Sequence, residues 1–123
     1  MSTEPLSGQS ILIVEDEMMV AVMLEDMLED IGCKVAGVAA KPAQALEIIG
    51  AEQPIDAAIL DLNLNGHNSY EIAAALEERR IPFLFSTGYG APVVDERYRG
   101  RPFLQKPFRQ EDLHEALSGM LAA

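Results

Sequence analysis

Five residues with side chains suited to phosphate or metal chemistry stand directly behind short apolar runs. Glu15 and Asp16 follow Ile11-Leu12-Ile13-Val14, Asp61 follows Ala57-Ala58-Ile59-Leu60, Thr87 follows Pro82-Phe83-Leu84-Phe85 by one residue, and Lys106 follows Pro102-Phe103-Leu104 by one. In an open parallel sheet, ligands bind outside the carboxyl ends of the strands, so these groups would meet at a single edge. Carboxylates grouped in this way repel one another. A hard divalent cation with oxygen ligands is the usual remedy.

The elements that must position these groups are legible in the apolar pattern. Ile11 to Val14 is apolar at every residue, as expected of a strand buried on both faces of a parallel sheet. From Met18 to Ile31 the residues Val20, Leu24, Met27, Leu28 and Ile31 recur at three and four, which predicts an amphipathic helix closed by Gly32. Lys34 to Val38 forms a second strand, and Pro42 to about Ala51 a helix with proline in its first turn. Residues 57–60, 82–85 and 102–104 supply three more strands, with a helix from Tyr70 to Arg79 and a last one carrying Leu113, Leu117 and Met120. Strands alternating with helices imply an α/β fold, a three-layer sandwich in which a five-stranded parallel sheet carries helices on both faces. The stretch from Gly90 to Phe103 contains Pro92, Gly100 and Pro102 and scarcely holds three turns, so the fourth helix is expected to be short or disordered.

Bulk properties narrow the function classes. A chain of 123 residues makes one domain, read as a polar leader over 1–9 and a folded unit over 10–123. Nine Lys plus Arg against twenty Asp plus Glu leave a net charge of −11, which disfavours nucleic acid and anionic membrane as partners. Cys33 is the single cysteine, so no internal disulfide forms. The first ten residues lack the basic and apolar blocks of a secretory signal, and no apolar run approaches the length of a membrane span; the expected location is cytoplasmic.

In this order and at these positions, Ile11-Leu12-Ile13-Val14-Glu15-Asp16, Leu60-Asp61, Ser86-Thr87-Gly88 and Lys106-Pro107-Phe108 resemble the CheY-like receiver domains of response regulators, over essentially the whole chain. The resemblance implies that Asp61 is the phosphoacceptor and attacks a phosphohistidine on a sensor histidine kinase or phosphotransfer protein. It also implies a magnesium ion held by Asp16, Asp61 and the backbone carbonyl of Asn63, with Glu15 acting through coordinated water. Lys106 would pair with the phosphoryl charge and Thr87 would donate a hydroxyl hydrogen bond to it. Phe103, three places before the lysine, would turn inward as Thr87 moves, making Thr87 and Phe103 the switch pair. Self-phosphorylation and self-dephosphorylation would be its only chemistry, so it is not expected to be an enzyme in the ordinary sense.

Phe85-Ser86-Thr87-Gly88-Tyr89-Gly90 is similar to the Phe-Ala-Thr-Gly-aromatic motif of the FATGUY receivers, and Asn63-Leu64-Asn65-Gly66 agrees with a second segment of that group. The glycines at 88 and 90, with Tyr89 between them, suggest a flexible loop that orders on phosphorylation or partner binding. With no output domain in view, the signal would leave through contact with an unknown downstream protein or by onward phosphoryl transfer.

Other readings compete. Asp61 to Gly66 fits the opening of an EF-hand loop, but the twelfth position is Ile72 and a strand pattern precedes it. A phosphatase using Asp61 as nucleophile would need a second aspartate two residues on, where Asn63 stands. A pseudo-receiver that binds without phosphorylation is the remaining alternative. Met18 and Met19 are candidates for contact with a kinase helix, Met23 and Met27 for the core. His67, His114 and Cys33 have no companion that would make them ligands or nucleophiles.

Overall fold

The computed structural model describes residues 6–51, 53–64, 67–88, 98 and 101–121. Its elements run β1 (Ser10–Val14), α1 (Met18–Ile31), β2 (Lys34–Ala39), α2 (Pro42–Gly50), β3 (Ala57–Asp61), β4 (Asn63–Leu64), β5 (His67–Asn68), α3 (Tyr70–Glu78), β6 (Phe83–Thr87), β7 (Phe103–Gln105) and α4 (Gln110–Leu121). Five strands form a parallel sheet in the order β2-β1-β3-β6-β7, as the alternating pattern requires.

Alternation along each strand divides the apolar residues between two core layers. Leu12, Val14, Ala58, Leu60, Phe83 and Phe85 face one side, where Ala45 and Ile49 of α2 and Ile72, Ala73 and Leu76 of α3 cover them. Ile11, Ile13, Ala57, Ile59, Leu84 and Leu104 face the other, under Leu24 and Leu28 of α1 and Leu113 and Leu117 of α4. The chain ahead of β1 joins this second layer. Leu6 is fully buried, its carbonyl accepts the Cys33 thiol at 3.3 Å, and Gly8 N–H donates to Gly32 O at 2.8 Å.

Helix ends follow local chemistry. Gly32 closes α1 at φ 101°, a left-handed conformation that costs a glycine nothing, and its N–H reaches back to Leu28 O and Glu29 O. Pro42 opens α2 in its first turn, where a missing N–H is harmless. Met18 and Met19 are 74 % and 87 % exposed at the start of α1, which removes them from the core, whereas Met27 packs against the second layer.

Between β3 and α3 lies a feature the apolar pattern does not announce: β4 and β5 pair antiparallel, Asn63 opposite Asn68 and Leu64 opposite His67. The signal for it is in the string, since Asn65-Gly66 is the strongest two-residue hairpin dipeptide. The expected short helix after β6, and the loop residues Tyr89 and Gly90, lie outside the described residues; Gly88 is described and exposed.

Tyr98 is fully buried in an aromatic cluster, its ring 5.2 Å from Tyr70, 6.1 Å from Phe83 and 5.8 Å from Phe85 between centroids. Nearby, Arg101 lies over the Phe83 ring at 4.3 Å and pairs with Glu77 of α3 at 2.9 Å. The chain entering β7 is thereby fastened to α3. Tyr98→Ala is expected to cost about 3–4 kcal/mol of stability, as large aromatic deletions do; a urea midpoint close to that of the native chain would remove Tyr98 from the core.

Candidate functional site

The carboxyl ends of β1, β3, β6 and β7 lie side by side, and the sheet order decides which side chains meet there. Asp61 is the last residue of β3 and Thr87 the last of β6, with Asp61 opposite Ser86 in the ladder. Glu15 follows β1, held where its backbone N–H donates to Ala39 O at 2.9 Å. Lys106 continues the β6–β7 ladder through an N–H to Thr87 O of 2.7 Å. Four strands thus deliver the sequence-predicted residues to one edge.

Glu15, Asp16 and Asp61 each offer a carboxylate oxygen within 4.8 Å of the other two. Glu15 and Asp61 are buried, at 2 % and 6 % exposure, while Asp16 is half-buried. Lys106 Nζ lies 2.8 Å from Glu15 Oε1 and 3.2 Å from Asp61 Oδ2. Glu17, a residue the sequence reading passed over, stands 3.9 Å from the same ammonium on the exposed side. Its signal was the unbroken acidic run Glu15-Asp16-Glu17.

The charges of this group are unevenly compensated. Burial pushes the Glu15 carboxyl up to about 7, reinforced by the Asp61 carboxylate and only partly offset by Lys106 and by the Glu17 N–H, which donates to Glu15 Oε2 at 3.1 Å. Burial alone would lower the Lys106 ammonium, but Glu15 and Asp61 outweigh it and its pKa rises. Lys106 is therefore firmly charged.

The donor set fits a divalent cation. All the candidate ligand atoms are carboxylate oxygens, the chemistry that Mg²⁺ prefers, and the buried Glu15 Oε1 already has a cation, the Lys106 ammonium, 2.8 Å away. Glu15, Asp16 and Asp61 would hold the ion. Asn63 begins β4 two residues past Asp61, so its backbone lies at the same edge.

Thr87 is buried and shares the face of Phe85, two residues before it. Phe103 is opposite Phe85 in the ladder, its ring stacked on Phe85 at 5.6 Å with an interplanar angle of 28°, and it is 36 % exposed. In this structure it is turned partly outward. His114 is half-buried on α4, and Cys33 is buried behind α1; neither is part of the acidic trio.

A parallel sheet of this order with an acidic trio and a lysine at its carboxyl edge belongs to the response-regulator receivers, and the family model of the response regulator receiver domain matches residues 11–118. The chain is a member of that family, a module of two-component signalling. Among solved structures it is similar to SdrG from Sphingomonas melonis Fr1, with 45 % identity, a TM-score of 0.82 and coverage of 97 % of this chain and 99 % of that one. The BeF3-activated conformation of SdrG matches at 44 % identity with a TM-score of 0.80, covering 98 % and 99 % of the two chains. Curated relatives include the sensor protein TorS of Escherichia coli, 30 % identical over 94 % of this chain, and the transcriptional regulatory protein PdtaR of Mycobacterium tuberculosis, 29 % identical over 87 %. The chain spans 13 % of the length of TorS and 54 % of that of PdtaR. Among the described residues no helix is long and apolar enough to cross a membrane.

The Glu15 shift sets the sign of a pH dependence. Between its ordinary value of 4.5 and about 7 the folded chain holds a proton that the unfolded chain has lost, so this group's contribution to stability declines as pH rises through that window. Cation binding needs the ionised form and moves the other way. Mg²⁺ affinity is expected to be about tenfold weaker at pH 6 than at pH 8, measured by amide shift titration, and nearly level in Glu15→Gln. A native profile as flat as the variant's would show that Glu15 does not govern the site.

Proposed function

We propose that this receiver domain accepts a phosphoryl group on Asp61 from a sensor histidine kinase or phosphotransfer protein, with Mg²⁺ as cofactor, and passes the signal on by protein contact or onward transfer. The observation that carries this reading is the placement of Asp61 Oδ2 3.2 Å from Lys106 Nζ inside a trio of carboxylates whose oxygens lie within 4.8 Å. A nucleophile and a phosphate-pairing cation stand together there, beside ligands for a divalent ion.

The chemistry is an in-line displacement. An oxygen of Asp61 forms a bond to phosphorus while the phosphorus–nitrogen bond to the donor imidazole breaks, and the electron pair leaves with the ring nitrogen. The ion, when bound, supplies screening between the phosphoryl oxygens and the carboxylates. Lys106 pairs with a phosphoryl oxygen, and the Thr87 hydroxyl donates to another. Thr87 shares its strand face with Phe85, so its movement reaches the Phe85–Phe103 stack, where Phe103 has an outward position to leave. Asp61 and Glu15 are buried, and the lowered local dielectric strengthens each of these interactions.

Support for action as a separate module comes from the end-to-end likeness to SdrG, whose beryllofluoride-activated conformation has been solved. The segment Phe85-Ser86-Thr87-Gly88-Tyr89 supports membership of the FATGUY group. Self-phosphorylation and self-dephosphorylation would be its only catalysis, and a cytoplasmic location would follow from such a partner. Met18, Met19 and Val22 form an exposed apolar strip on α1, next to the acidic residues, suited to a helix of the donor.

Incubation with Mg²⁺ and a small phosphodonor is expected to add the mass of one phosphoryl group to the native chain and none to Asp61→Asn; equal labelling of both would sink the assignment of Asp61. Met19→Asp is expected to take phosphate from the small donor as the native chain does. From a kinase that phosphorylates the native chain, its transfer should be about tenfold slower, the effect of losing an apolar contact of about 1.4 kcal/mol. Equal transfer rates from that kinase would separate Met19 from docking.

A further inference from the structure

Ser86 is 1 % exposed, and its hydroxyl has no hydrogen-bond partner. Buried polar groups are nearly always paired, so an orphan next to a reactive carboxylate calls for a physical account.

The ladder locates it. Ser86 is opposite Asp61 of β3 on one side and Leu104 of β7 on the other. Leu84 faces the layer covered by α1 and α4, and by alternation Ser86 shares that face. The same parity carries Ile59 to Asp61 and Leu104 to Lys106. Asp61, Ser86 and Lys106 therefore stand on one face of three adjacent strand ends.

Strand order supplies the next step. Lys106 is rooted beyond β7, yet its ammonium pairs with Asp61 at the end of β3 and Glu15 behind β1. By strand order β6 stands between the root of Lys106 and these partners, and Ser86 and Thr87 are its last two residues.

Lys106 and a divalent ion would claim the same two carboxylates, Glu15 and Asp61. When the carboxylates turn to the ion, the ammonium must draw back toward its root, over β6, with three N–H groups to satisfy. We propose that Ser86 is a positioning residue whose Oγ accepts an N–H from the withdrawn Lys106, favouring the state in which Glu15 and Asp61 are open to the cation. The inference rests on the metal reading of the site given above. Ser86 acts through the lysine and not on the reacting atoms.

The test is an Mg²⁺ titration at fixed pH, followed through the backbone amides of Glu15, Asp16 and Asp61, on the native chain, Ser86→Ala, Lys106→Ala and the double variant. Ser86→Ala is expected to weaken Mg²⁺ binding about three- to tenfold, the range of one hydrogen bond to a charged group. In the Lys106→Ala background the same substitution should change affinity by less than about 1.5-fold, because the donor is gone. Unchanged affinity in Ser86→Ala overturns the proposal, and so does an equal loss with and without the lysine, which would make the role merely structural. An absence of Mg²⁺-induced shifts in the native chain would overturn the metal reading and this proposal with it.

Discussion

The organisation of this molecule turns on an electrostatic conflict at the end of a sheet. Three carboxylates have oxygens within 4.8 Å of one another, and two of them are almost out of water. Such a group is tolerable only if positive charge is brought to it or if a proton is kept, and both remedies are present. The Lys106 ammonium lies between Glu15 and Asp61, and the Glu15 carboxyl is pushed up to about 7. Under the proposed function, a shift of this ammonium would open the acidic pocket to a divalent ion or a phosphoryl group without rebuilding the fold.

The rest of the structure supplies the rigidity this balance needs. Each strand of the central sheet sends alternate residues into two separate apolar layers, so the strand ends are fixed from both faces. Phe85 is a junction in the first layer: its ring meets Tyr70, Phe83, Tyr98 and Phe103. Three of these partners are held tightly or in part within the core, and Phe103 is half-exposed. The position of Thr87, two residues along the same strand, is thus referred to one firm set of contacts and one loose one. A displacement at the site would be taken up on the side of Phe103.

How much of this was legible in the string varies residue by residue. The residue types at the strand ends announced themselves because a strand buried on both faces tolerates no polar side chain until it leaves the core; Glu15, Asp61 and Lys106 mark those exits. Gly32 and Pro42 likewise marked helix boundaries by what their backbones permit. The end of β6 was harder. Its apolar run stops at Phe85, yet Ser86 and Thr87 remain in the ladder, and Thr87 O accepts the Lys106 N–H. Small hydroxyl residues read as a turn when taken by themselves. Asn65-Gly66 carried a hairpin signal that was overshadowed by its likeness to a calcium loop, and the exposure of Met18 and Met19 depended on the rotation of α1.

By itself the sequence determined the fold class and which strands end in acidic, hydroxyl or ammonium side chains, because periodicity and the intolerance of a dry core for charge are properties of the chain alone. Only the tertiary structure decided which groups touch. The order β2-β1-β3-β6-β7 sets the acids of β1 and β3 side by side and sends Lys106 across β6 to reach them. Ser86 lies buried at the end of β6 with its hydroxyl unpaired, and Glu17 stands at the rim. Such relations depend on which strand neighbours which, and adjacency in space is set by the packing of the whole chain rather than by spacing along it.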